Sequence, residues 1–135
     1  QAALEGMAAE LAAKKMTGGE LRELRRLQGQ VRNAVRRDPG EWQKMNVSFH
    51  QFFIERCGNR RLQNLIKNHR DQFARYWRII LSIPGQRERN TSDHEKILKA
   101  VEKKDALKVR LAMEAHIQQA ASNLVQFLAK NAFLL

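Results

Sequence analysis

Apolar residues recur along this chain three and four positions apart, which is the spacing of helices that bury one face. Six such stripes can be followed, and no segment alternates apolar and polar residues for long enough to predict a strand. The stripes occupy residues 4–11, 21–31, 42–53, 62–80, 97–101 and 109–127. The pattern predicts an all-α fold with about six helices.

Clusters of glycine, proline and small polar residues separate the stripes. The strongest are Thr17-Gly18-Gly19, Asp38-Pro39-Gly40, Gly58-Asn59 and Pro84-Gly85. They leave short connections, apart from a longer one predicted over residues 82–91. Helices joined by short connections pack as antiparallel neighbours, so we expect an antiparallel bundle.

Capping residues mark several of the expected helix starts. Asp38, Asn59 and Asp105 are placed to cap the third, fourth and sixth helices. Ser92 and Glu95 match a capping box, which predicts that the fifth helix begins near them.

Length and composition predict one globular domain over residues 1–135. No apolar run approaches the length of a membrane span, and no signal peptide is evident. Cys57 is the single cysteine, so no internal disulfide can form, which suits the cytoplasm. Residues 1–5 are helical in character without a preceding cap, and we expect a further segment before them in the full protein.

The formal net charge is +11, which is unusually basic for a domain of this size. Lysines and arginines are spread along the chain rather than gathered in one block. A solvated basic surface is the simpler interpretation, and a face that contacts phosphates is the alternative.

Three histidines fall on the apolar faces of three different helices, the third, fifth and sixth. His50 lies one turn after Asn46 on the third stripe, while His94 and His116 continue the fifth and sixth. A single inward histidine is commonly a hydrogen-bonded core residue, but facing helices of a bundle are also where metal sites form. Imidazole nitrogens suit zinc, nickel, cobalt, copper or iron, so both interpretations stay open.

The order of motifs around these histidines resembles the FCD domain of GntR-family bacterial transcription regulators, over essentially the whole chain. The motifs are Asn46-Val47-Ser48-Phe49-His50, Cys57-Gly58-Asn59, Asp93-His94-Glu95-Lys96-Ile97-Leu98-Lys99-Ala100 and then Asp105, Met113 and His116. The resemblance implies an effector-binding and dimerisation domain that works as a homodimer. It also implies that an N-terminal winged helix-turn-helix domain, absent from this chain, contacts DNA.

The resemblance further implies a divalent metal, zinc or another transition metal, beneath a pocket for a small organic acid. By motif position the metal ligands are Asn46, His50, His94 and His116. Asn46 stands where the family usually has aspartate, which removes one negative charge. We therefore expect an anionic effector and the metal to bind in a coupled manner.

Four further side chains are candidates for effector binding. Arg75 and Arg78 could grip a carboxylate, although solvated surface arginines are the alternative. His69 lies on the fourth apolar stripe and lines either the pocket or the core, and Asn123 follows His116 by two helical turns.

These observations favour a ligand-sensing regulatory domain that is not an enzyme. One alternative is a basic helical module that binds nucleic acid, and another is a three-histidine metallohydrolase. The hydrolase lacks an evident inward general base, because Glu95 is expected to face solvent.

Overall fold

The computed structural model describes residues 1–132, which form six α-helices and no strands. The helices are α1 (Ala2–Lys14), α2 (Gly18–Ala34), α3 (Pro39–Arg56), α4 (Arg60–Ser82), α5 (Gln86–Glu102) and α6 (Ala106–Lys130). They pack into one all-α bundle, as the apolar spacing predicts. Within residues 1–132 no helix is long and apolar enough to cross a membrane. The last three residues of the predicted 1–135 domain lie outside the described part.

Side-chain caps begin four of these helices. Asp38 accepts from the amides of Gly40 and Glu41, Asn59 from Leu62 at 3.0 Å, and Asp105 from Lys108 at 3.1 Å, as predicted. Thr17 caps α2 in the same way through the amide of Glu20. The caps satisfy backbone donors that the first helical turn leaves without partners.

The start of α5 differs from the sequence prediction. The helix begins at Gln86, directly after Gly85 with φ 77°, so Ser92 lies inside the helix and forms no capping box. The expected long connection is therefore only residues 83–85. Gln86 and Asn90 are buried, and Gln86 donates a hydrogen bond to Asn90 at 2.7 Å. The first turns of α5 therefore bury a polar face, which apolar spacing cannot predict.

Buried aromatic side chains of α3 reach across the core to α5. Phe49 and Phe53 pack with Ile97 and Met113 in the main core. Trp42 is fully buried, and its indole N–H donates to the hydroxyl of Thr91 at 3.0 Å. This packing fixes the relative position of the two helices that carry His50 and His94.

Helix α4 contacts the bundle differently from the prediction. Its stripe suggested a continuous buried face, but Leu65 is 55% exposed and Phe73 40% exposed. Burial is concentrated near the two ends, at Leu62, Ile66 and Ile80. The middle of the helix is less buried, and side chains from this part line one wall of a cavity.

Candidate metal and ligand site

The three inward histidines meet at one point of the bundle. His50 on α3, His94 on α5 and His116 on α6 are all buried. One ring nitrogen from each lies within 4.8 Å of those of the other two. The Nε2 atoms of His50 and His116 are 3.3 Å apart. The inward direction predicted from helical spacing is confirmed.

Carboxylates contact the outer nitrogens of two of these rings. His50 Nδ1 is 3.1 Å from Glu5 Oε1, and His116 Nδ1 is 3.1 Å from Asp93 Oδ2. An ionised carboxylate only accepts, so each Nδ1 must carry the hydrogen and donate it. When the rings are neutral, the lone pairs are then on the two Nε2 atoms, which face each other at 3.3 Å.

Two side chains at or near the cluster carry buried polar atoms without partners in the described part of the chain. Neither ring nitrogen of His94 has a hydrogen bond within residues 1–132, and the ring stacks on Phe49 at 4.0 Å between centroids. The side-chain oxygen of Asn46 is likewise buried and unpaired within the described chain. Unpaired buried polar atoms are costly. Three imidazoles around one point fit a transition-metal ion, which would give one of the two His94 nitrogens a partner.

The sequence interpretation missed a buried acid. Glu5 on α1 is 1% exposed, and besides His50 it accepts from Arg70 Nη2 at 2.7 Å. No inward general base was evident from the sequence, and the buried carboxylate of Glu5 was not identified there. A signal existed, because Glu5 precedes the buried Ala8, Ala9 and Ala12 by three, four and seven residues, which places it on the same helix face.

Burial and charge set the protonation of these groups. Burial alone would raise the pKa of Glu5, but the hydrogen bond to His50 and the charge of Arg70 outweigh it and hold the pKa well below its usual range. Burial lowers the pKa of His50, although Glu5 opposes the shift. Burial, with the neighbouring His116 and His50, lowers the pKa of His94 well below its usual value. Neutral imidazole, the form that binds metals, is therefore favoured at His50 and His94.

These shifts predict that the metal-free domain loses stability on acidification. The pKa of His94 lies below its ordinary 6.5 in the fold, so below about pH 6.5 unfolding takes up a proton. The stability present above that pH is lost as the pH falls, by up to about 1.4 kcal/mol per pH unit for each such histidine. Urea unfolding with chelator between pH 7.5 and 5.5 measures the slope. A His94→Leu variant should show a shallower slope, and equal slopes would contradict this assignment.

A cavity of about 410 Å³ opens beside the histidine cluster. His50, His116 and Asn46 form part of its wall, and Arg70 and Arg78 line it from α4. Its other lining residues supply amides, two carboxylates and apolar surface, and include Glu5, Gln43, Asn90, Asp71, Trp77, Leu81 and Ile117. A few polar groups among apolar surface are typical of a small-molecule site.

The other three predicted effector residues, Arg75, His69 and Asn123, do not line this cavity. Arg75 is exposed and is not among the residues that line this cavity. His69 stacks on Phe73 at 4.6 Å, at the wall of a second, largely apolar cavity of about 370 Å³. Asn123 donates to Gln86 at 2.9 Å, and Gln86 in turn donates to Asn90 in the first cavity wall.

Comparisons with known proteins agree with this architecture. The family model of the FCD domain matches residues 1–119. No curated protein sequence matches the chain. Among solved structures, McbR/YncC of E. coli shares the fold with a TM-score of 0.81 at 23% sequence identity, over 91% of this chain and 63% of that chain. This chain thus spans less than two thirds of that protein's length. The match over most of the chain shows that it belongs to the FCD domain family.

Proposed function

We propose that this domain is the ligand-sensing, non-enzymatic part of a GntR-type transcription regulator, and that it binds a small organic acid over a divalent metal. The observation that carries the proposal is the meeting of three buried histidines beside a 410 Å³ cavity, which His50 and His116 line together with Arg78. Membership of the FCD family supports the regulatory role.

The metal would be held by His50, His94 and His116, with the amide oxygen of Asn46 as a further donor. Zinc is the first candidate and nickel the second, since both accept imidazole ligands. The bound ion would offer positive charge and an exchangeable coordination position to a carboxylate. Glu5 and Asp93 accept hydrogen bonds from Nδ1 of His50 and His116, which orients the opposite nitrogen of each ring toward the ion.

The cavity wall supplies the rest of the recognition. Arg78 can form a two-point contact with a carboxylate, which a lysine could not reproduce. The side chains of Gln43 and Asn90 add hydrogen-bonding groups, and Trp77 and Ile117 add apolar surface. A compact acid that also carries polar substituents matches this lining.

A ligand in the cavity can change the affinity of the regulator for DNA by moving the helices that enclose the cavity. The indole of Trp77 on α4 donates to Gln1 at 3.1 Å, next to the start of α1, so both helices contribute to the wall. We propose that an N-terminal winged helix-turn-helix and a homodimer partner complete the regulator. A ligand shifts DNA affinity only if it binds two arrangements of these helices with different affinities.

The test is calorimetric titration of small carboxylates such as citrate, malate and lactate into zinc-loaded and zinc-free domain. At least one acid should bind, and it should bind more tightly to the loaded form. Arg78→Ala should weaken that affinity by about ten- to a hundredfold, the cost of losing a charged hydrogen bond. Arg75→Ala, on the same helix but outside the residues that line the cavity, is the matched control. Equal affinity with and without zinc, or equal losses in both variants, would refute the proposed site.

A further inference from the structure

We propose that Glu5 is a positioning residue that orients His50 for metal binding and supplies negative charge that Asn46 does not. The inference rests on the proposed metal site. It concerns a side chain on α1, outside the three helices that carry the histidines.

Glu5 lies behind His50 rather than beside the central nitrogens. Its Oε1 atom contacts Nδ1, on the far side of the ring from the Nε2 atom that faces His116. A carboxylate in this position fixes the ring orientation and makes the free nitrogen a stronger donor. Asp93 has the same relation to His116, but its side chain is 24% exposed and also pairs with Lys96 at 3.6 Å. Glu5 is 1% exposed, so water screens its effect less.

Arg70 competes with His50 for the same carboxylate. Its Nη2 atom lies 2.7 Å from Oε1, the oxygen that also faces His50, and its Nε lies 3.4 Å from Oε2. The guanidinium therefore draws negative charge away from the imidazole. Removing Arg70 should leave more of that charge for His50 and the metal.

A purely structural role of Glu5 makes a different prediction. If the Glu5–Arg70 ion pair only fastened α1 to α4, loss of either partner would disturb the site in the same direction. If Glu5 acts through His50, loss of Glu5 weakens metal binding while loss of Arg70 does not. The two roles are therefore distinguished by whether the Glu5 and Arg70 variants change metal affinity in the same direction or in opposite directions.

The experiment measures zinc affinity of the full chain by competition with a chromophoric chelator. Glu5→Gln should weaken zinc binding by about ten- to a hundredfold, the usual effect of losing such a partner. Arg70→Gln should bind zinc as tightly as the wild type or more tightly. Glu10→Gln is the control, because Glu10 lies on the same helix but pairs with Lys14 and Arg110 near the surface. A Glu5→Gln affinity within twofold of wild type, or similar losses in the Glu5 and Arg70 variants, would overturn the proposal.

A second measurement needs no metal. Nitrogen-15 spectra of the zinc-free wild type should show His50 with its hydrogen on Nδ1, and Glu5→Leu, which cannot accept that hydrogen, should change this signature. A wild-type His50 protonated on Nε2 alone would overturn the orienting role of Glu5. A wild-type chain that bound no zinc would instead refute the proposed metal site, and the spectra would still decide what Glu5 does to His50. Thermal unfolding confirms that each variant is folded.

Discussion

The domain purified without chelator or a histidine tag is expected to contain about one equivalent of a divalent metal. The double variant His50→Ala/His116→Ala should retain less than about a tenth of that, because two of the three converging imidazoles are lost. Mass spectrometry of the acid-released metal measures both and identifies the ion.

His69→Ala is the matched control for this experiment. His69 lies outside the histidine cluster and stacks on Phe73 at the second cavity. It should keep the full metal content. Equal metal in the double variant and the wild type would show that the ion binds elsewhere, and a wild type without metal would refute the proposed site.

Asn46→Asp is expected to tighten metal binding by about ten- to a hundredfold. The side-chain oxygen of Asn46 is buried and lacks a hydrogen-bond partner within residues 1–132. A carboxylate there would bring a negative charge to a site whose other proposed ligands are imidazoles, in surroundings that screen it weakly. Zinc titration against a competing chelator measures the change.

The same substitution should have opposite effects on stability with and without metal. A carboxylate without a partner at this position costs free energy, so the chelated variant should melt below the wild type. The loaded variant should melt above it, because the ion binds only the folded state. Asn33→Asp, an exposed position on α2, adds the same charge as a control and should produce neither shift. A variant with unchanged zinc affinity would show that Asn46 does not face the metal.

The sequence alone determined most of the secondary structure and the direction of the histidines. Helical spacing is a local property, so the third, fifth and sixth stripes predicted that His50, His94 and His116 point inward. Caps depend on a few neighbouring residues, and Asp38, Asn59 and Asp105 were therefore identified correctly. The ordered motifs around the histidines likewise identified the FCD family.

The tertiary structure decided which groups act on those histidines. Glu5 reaches His50 because α1 packs on α3, with Glu5 and the buried alanines on the same face of α1. Its partner Arg70 is 65 residues away, so no local pattern connects the two. The start of α5 at Gln86 was missed because its buried face is polar and internally bonded. Periodicity reports which side of a helix is buried, whereas the pairing of charges across helices depends on how the helices are assembled.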